Sequence, residues 1–127
     1  MKYLLDAHTI IWLIEDSPKM PTKLKDICKD VNNQIFVSSI SLWEIAIKMS
    51  LGKLTLRIGL DELLSFIMHS DITILQIKND YLQKLLVLPF IHKDPFDRLL
   101  VATAITEDLT IMTIDENIHE HGVACIW

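Results

Sequence analysis

Four acidic side chains stand where they could bind a divalent cation together, although they are far apart in the sequence. Asp6 and Asp115 each follow a short apolar run, whereas Glu44 and Asp97 each stand near the start of a candidate helix. Carboxylate oxygens are ligands that suit Mg²⁺ or Mn²⁺, which commonly use few protein ligands and keep waters for a substrate. Metal-assisted phosphoryl chemistry is therefore the leading hypothesis for these residues.

The mutual repulsion of such carboxylates sharpens this hypothesis. Two carboxylates about 4 Å apart repel each other by roughly 4 kcal/mol at an effective dielectric constant near 20. The total stability of a domain is only about 5–15 kcal/mol, so a cluster is tolerable only if protons or a cation neutralise it. Independent roles remain open, however. Asp6 and Asp115 could be plain helix caps, and Asp97 could be a surface acid in a first helical turn. Glu44 could close a capping box or form an ion pair one turn along its helix.

The segment from His92 to Ala104 predicts how Asp97 is held. Asp94 followed by Pro95 is typical of a helix start, with the carboxylate as N-cap. Asp97 then lies beside unpaired backbone N–H groups and the positive end of the helix dipole. The apolar face of this helix, predicted over 95–107, is expected to consist of Leu100, Val101, Ala104 and Ile105.

Short apolar runs alternate with helical patterns through the rest of the chain. Strands are predicted at 3–5, 35–38, 72–77, 110–114 and 123–126. Helices are predicted at 8–15, 21–30, 60–69 and 79–87, with a further helix between a Ser41–Glu44 capping box and Gly52 and a last turn before His121. This alternation predicts a central, mainly parallel sheet covered on both faces, a three-layer α/β/α fold. Sites in such sheets form outside the carboxyl ends of the strands, so the four acids are expected at one edge.

Composition limits the classes of function. The chain has 127 residues, half of them hydrophobic, which predicts one domain over 1–127 with a substantial core. A formal charge of −5 argues against a passive nucleic-acid coat but leaves open an enzyme that reaches phosphate through a metal. The histidines lack a zinc-ligand pattern, and no glycine-rich phosphate loop is present. No membrane span or signal peptide is expected, and Cys28 and Cys125 suit a reducing environment, so the predicted location is the cytoplasm.

Several segments resemble PIN-domain ribonucleases, specifically the VapC-like toxins of bacterial toxin–antitoxin pairs. The matching segments, in order, are Leu4–His8, Val37–Lys48, Leu51–Leu54, His92–Ala104 and Thr113–Asp115. The resemblance implies a PIN-like fold and Mg²⁺- or Mn²⁺-dependent cleavage of RNA. It assigns Asp6, Glu44, Asp97 and Asp115 to metal binding and catalysis. It also implies a cognate antitoxin that occupies or distorts the site, and a homodimer.

Further residues are expected to support this chemistry. Ser38 and Thr113 lie at predicted strand ends, where their hydroxyls could orient the acidic ligands. The cations nearest the predicted edge in sequence are candidates for RNA contacts, with solvated surface or ion pairing as the alternative: Lys48, Lys53, Arg57, Lys93 and Arg98.

The chain departs from the family pattern at Ala7, where the family usually has Thr or Ser. A lost hydroxyl beside Asp6 could weaken the orientation of that ligand, and such changes typically cost about 10–100-fold in metal affinity or activity. Thr9 lies two residues further on and is not expected to replace it. Two other functions therefore remain open. One is a catalytically weak PIN-fold module that binds a partner, and the other is a housekeeping ribonuclease without an antitoxin.

Overall fold

The structure is a computed structural model that describes all residues from 1 to 127. Its centre is a five-stranded sheet in which every neighbouring pair is parallel, with strand order β3-β2-β1-β4-β5. The strands are β1 (Lys2–Leu5), β2 (Gln34–Ser38), β3 (Thr73–Leu75), β4 (Thr110–Met112) and β5 (Cys125–Ile126). The predicted parallel α/β fold is confirmed.

Seven helices connect these strands and cover both faces of the sheet. They are α1 (Ala7–Ile14), α2 (Thr22–Lys29), α3 (Ser39–Ser50), α4 (Leu60–Met68), α5 (Asn79–Val87), α6 (Pro95–Glu107) and α7 (Glu116–His119). None of them is long and apolar enough to cross a membrane.

The side chains of β1 show how the two hydrophobic layers arise. Because successive side chains of a strand point to opposite faces, Leu5 packs into one cluster and Leu4 into the other. The Leu5 cluster includes buried residues of α1, α2 and α4, whereas the Leu4 cluster includes those of α5, α6 and α7. Helix α3 contributes Ile45 to the first cluster and Ile40 to the second. The sheet thus holds the start of α3 and the start of α6 against its central strands.

Several predicted boundaries are wrong in detail. The capping box at Ser41–Glu44 does not form, because β2 runs directly into α3 and Ser38 caps the helix by accepting from the Ile40 N–H at 3.1 Å. Glu44 therefore lies beyond the first turn of α3. Strand β4 ends at Met112, before the predicted end at 114, and β3 and β5 are likewise shorter than predicted. Ile105 is 39% exposed, because the buried part of α6 consists of residues 98–104 and ends before it.

Candidate active site

The strand order places a crevice beside β1. Strands β2 and β3 lie on one side of β1, whereas β4 and β5 lie on the other, so the order reverses between β1 and β4. Ligands of open α/β sheets bind at such a reversal, outside the carboxyl ends of the strands. A small pocket of about 90 Å³ lies here, and its acidic lining residues are Asp6, Glu44, Asp94, Asp97 and Asp115. The structure thus brings together the four acids that the sequence analysis singled out.

Two larger cavities, of about 380 and 460 Å³, lie elsewhere on the surface. Hydrophobic side chains form the majority of the lining of each. The convergence of charge, rather than the size of the cavity, therefore identifies the site.

Asp6 is held through both carboxylate oxygens. It is the N-cap of α1, and its Oδ1 accepts from the Thr9 backbone N–H at 2.9 Å and from the Thr9 hydroxyl at 2.7 Å. Its Oδ2 accepts from the Thr113 hydroxyl. The side chain is almost completely buried, at 7% exposure. Asp6 is therefore a helix cap, one of the alternatives that the sequence left open, and at the same time part of the acidic pocket.

Thr113 links two of the acids. While its hydroxyl donates to Asp6, the same oxygen accepts from the Asp115 backbone N–H at 3.0 Å. Asp115 in turn caps α7, with its Oδ1 accepting from the Asn117 N–H at 2.9 Å. Because β4 ends at Met112, the chain is free to turn at Thr113 and present these groups to the pocket. Thr113 is thus hydrogen-bonded to both acids, and its support of a metal site stays a prediction.

Glu44 carries its own counter-ion. The Lys48 ammonium lies 2.7 Å from Glu44 Oε2, one helical turn along α3, and Lys48 also lines the pocket. The hydrogen bond to Glu44 raises the pKa of Lys48, and the carboxylates of Asp94 and Asp97 contribute in the same direction. Lys48 is therefore a cation paired inside the acidic site.

Asp97 is the acid of the cluster whose pKa is raised. Asp94 caps α6 as predicted, with its Oδ1 accepting from the Asp97 N–H at 3.0 Å. Burial, followed by the neighbouring carboxylates of Asp94, Asp115, Glu44 and Asp6, raises the pKa of Asp97 from 3.8 to about 7. A proton or a cation is needed to relieve this repulsion at neutral pH.

The donor set fits a hard divalent cation, because carboxylate oxygens surround the pocket and their mutual repulsion disfavours the uncompensated site. No three acidic, histidine or cysteine side chains already form a closed metal-binding arrangement. The pocket is thus a set of converging carboxylates in which Glu44 Oε2 is paired with Lys48.

Lys48 is the one candidate RNA-binding cation that lines the acidic pocket. Ser38 and the other candidate cations do not line it. Ser38 is buried and its hydroxyl caps α3, so the structure gives it a role in the helix rather than contact with the acids. Lys53, Arg57 and Lys93 are exposed.

The expectation for Arg98 is wrong. Its guanidinium is buried, at 8% exposure, and donates to the carbonyls of Pro89 at 3.0 Å and Leu85 at 3.3 Å. It also lies over the Phe90 ring, 4.3 Å from the centroid. The loop after α5 thus folds over Arg98 and removes it from the surface available to RNA.

Two further features at the site were not predicted. Thr9 contacts Asp6 through both its backbone and its hydroxyl. The only signal for this contact is its position in the first turn of the helix that Asp6 caps. Phe96 lines the acidic pocket and packs edge-to-face with Trp43, at a centroid distance of 5.4 Å. Trp43 itself is 58% exposed.

A doubly wound parallel sheet with an acidic pocket at its strand-order reversal defines an α/β domain built for ligand binding at that edge. The family model described as PIN domain matches residues 3–123, and the chain belongs to the PIN-domain family.

Solved structures agree with this assignment. The chain is similar to a chain of VapBC2 from Rickettsia felis, solved bound to a DNA fragment from its promoter, with a TM-score of 0.75 and 20% identity over 99% of this chain and 98% of that one. It is similar to a chain of VapBC-1 from nontypeable Haemophilus influenzae, with a TM-score of 0.70 and 16% identity over 99% and 97%. A toxin–antitoxin complex from Klebsiella pneumoniae gives a TM-score of 0.63 and 16% identity over 98% and 96%. No curated protein matches the chain. At these identities the likeness establishes the fold.

Proposed function

We propose that this PIN-domain protein is a metal-dependent endoribonuclease that acts as the toxin of a toxin–antitoxin pair. The observation that carries the proposal is the pocket at the strand-order reversal, in which Asp6, Glu44, Asp97 and Asp115 converge. Among these four acids only Glu44 pairs with a cation, Lys48, and burial together with the neighbouring carboxylates raises the pKa of Asp97. The site is therefore suited to a cation.

These four carboxylates would hold Mg²⁺ or Mn²⁺. When bound, such an ion activates a water molecule for in-line attack and stabilises charge on the phosphate. The chain's own residues prepare the site: Thr113 fixes Asp6 relative to Asp115 through its two hydrogen bonds. Asp97 has to lose its proton before it can act as a ligand, since metal ligands bind as deprotonated groups.

Lys48 has a second role in this proposal. Its ammonium lines the pocket beside Glu44, so it would be placed to bind a phosphate oxygen of the RNA. The exposed Lys53, Arg57 and Lys93 are candidates for contacts with more distant phosphates. Arg98 is buried and is therefore left out of this proposal.

We further propose that a cognate antitoxin binds and inhibits the protein and that the toxin forms a homodimer. The support for the antitoxin comes from chains of complexes described as VapBC and toxin–antitoxin, whose fold this chain shares along nearly its whole length. The homodimer rests on the resemblance of the sequence to VapC-like toxins. The product of a small open reading frame next to the gene is the first partner to test. Co-purification together with inhibition of RNA cleavage would support an antitoxin.

The proposed activity is tested by incubating a mixed pool of structured RNAs with the protein in Mg²⁺, in Mn²⁺ and in EDTA. Asp97→Asn serves as the inactive variant. Asp80→Asn is the matched control, because Asp80 is also an acid in a first helical turn but lies on α5 outside the pocket. Discrete products that require metal and Asp97, and that persist with Asp80→Asn, would support the enzyme. Cleavage that survives Asp97→Asn, or that is equal in EDTA, would refute it.

A further inference from the structure

Thr9 stands in the best position to orient Asp6 for a ligand. We propose that the Thr9 hydroxyl is a positioning group that holds the Asp6 carboxylate ready to bind a divalent cation, an inference that rests on the proposed metal site. Ala7 is buried next to Asp6 and lines the pocket, but its methyl group offers no hydrogen bond. The side-chain hydroxyls that reach Asp6 come from Thr9 and Thr113.

The Thr9 hydroxyl connects α1 to β4 as well as to Asp6. It lies 2.7 Å from Asp6 Oδ1 and 2.8 Å from the carbonyl oxygen of Met112, and the side chain is 1% exposed. A hydroxyl has a single proton, so it can donate to one of these acceptors at a time. The hydrogen bond to an ionised carboxylate is the stronger one. The Met112 carbonyl also accepts from the Asp6 N–H at 3.5 Å, so it keeps a contact when the Thr9 proton points to Asp6.

These contacts make the two oxygens of Asp6 unequal. Oδ1 accepts from both the N–H and the hydroxyl of Thr9, which occupies both of its acceptor positions. Oδ2 accepts from Thr113 alone and keeps one position free. Oδ2 is therefore the oxygen that keeps an acceptor position for a cation, while the hydroxyl and N–H of Thr9 together hold Oδ1 in place.

A role in helix capping alone would have different consequences. The cap of α1 is already made by the Thr9 backbone N–H, which no substitution other than proline removes. If the hydroxyl served only the helix, its loss would lower thermal stability without changing affinity for a cation. If it orients Asp6, affinity changes as well.

The test is a calorimetric titration of Mn²⁺ into the wild type, Thr9→Val and Thr9→Ser, at a pH above the pKa of about 7 of Asp97. Valine keeps the shape but not the hydrogen bond, whereas serine keeps the hydroxyl. We expect Thr9→Val to raise the Kd for Mn²⁺ by about 10–100-fold, as is typical for groups that orient metal ligands. We expect Thr9→Ser to stay close to the wild type. Where Thr9→Val does not fold, Thr9→Cys replaces it, because cysteine differs from serine mainly in its weak hydrogen bonding.

The outcomes separate this proposal from the one on which it rests. If the wild type binds no Mn²⁺, the metal site and the role of Thr9 are both overturned. If the wild type binds and Thr9→Val or Thr9→Cys binds equally well, only the role of Thr9 is overturned. The same holds if Thr9→Ser weakens binding as much as the variants without a hydroxyl.

Discussion

Replacing Asp97 by asparagine should stabilise the metal-free protein and remove its stabilisation by Mn²⁺. The substitution keeps the size of the side chain but removes a charge that four other carboxylates disfavour. The cap of α6 is not disturbed, since Asp94 accepts from the backbone N–H of residue 97 rather than from its side chain. The change therefore isolates the charge of Asp97 from the folding of its helix.

The magnitude follows from the pKa. A rise from 3.8 to about 7 would correspond to roughly 4 kcal/mol if the group were shielded from water. Asp97 is only partly buried, so solvent screening reduces the effect, and we expect Asp97→Asn to raise the free energy of unfolding by about 1–2 kcal/mol. For a chain of this length the melting temperature should rise by about 4–10 °C.

The stability difference between Asp97→Asn and the wild type should depend on pH. The folded protein binds the Asp97 proton more tightly than the unfolded chain does, in the window between about pH 4 and 7. As the pH rises through that window, the wild type loses the stability that protonation provides. The advantage of Asp97→Asn should therefore be greatest above pH 7 and disappear towards pH 4.

Thermal unfolding in EDTA and in Mn²⁺, across that pH range, measures both effects. The wild type should gain about 2.7 kcal/mol at a hundredfold excess of Mn²⁺ over its Kd, whereas Asp97→Asn should gain little. Asp80→Asn should instead lose about 0.3–1 kcal/mol, because it removes a favourable acid from a helix start, and should keep its response to Mn²⁺. The reasoning is refuted if Asp97→Asn is no more stable than the wild type in EDTA at about pH 8.

Three further predictions test the surroundings of the site. Lys48→Met removes the cation paired with Glu44, so calorimetry should show tighter binding of Mn²⁺, whereas RNA cleavage should fall. An unchanged affinity for Mn²⁺ would show that Lys48 does not compete with the metal. The affinity for Mn²⁺ should fall by about tenfold per pH unit below the pKa of Asp97, with release of about one proton, and a flat profile would contradict the position of that pKa. Arg98→Leu should lower stability in denaturant by about 2–4 kcal/mol through the loss of its buried bonds to Pro89 and Leu85. Lys93→Ala should leave stability unchanged, and a weaker effect of Arg98→Leu than of Lys93→Ala would contradict the buried role of Arg98.

The sequence predicts the parts of this fold that local chemistry specifies. Helix α5 over 79–87 and helix α6 over 95–107 have the predicted bounds, and the start of α6 follows from Asp94 and Pro95. The parallel sheet follows from the alternation of apolar strands with helices. The acidic pocket follows in turn, because parallel strands bring their carboxyl ends to one edge.

The errors arise where tertiary contacts decide between local options. Ser38 and Ser41 are both acceptable helix caps, and only the direct passage of β2 into α3 selects Ser38. Arg98 stands beside the acids in sequence, but the end of α5 and the loop after it cover its guanidinium, and Leu85 and Pro89 each supply one carbonyl. Thr9 is separated from Asp6 along the chain, and the turn into α1 brings its hydroxyl back to the carboxylate. Each outcome depends on backbone geometry that residue type alone does not determine.

Helix capping and a place in the acidic pocket, which the sequence presented as alternatives, are combined at Asp6 and Asp115. Asp6, Asp94 and Asp115 each use Oδ1 to accept a backbone N–H at a helix start, which offsets part of the repulsion among them. Asp97 lacks such a partner, since only burial and other carboxylates shift its pKa. Burial and the repulsion among the carboxylates therefore act most strongly on Asp97, and they raise its pKa to about 7. In the proposed metal site a cation would compete with the proton of Asp97, which is why charge removal at Asp97, rather than at the capped acids, should raise stability and abolish metal binding together.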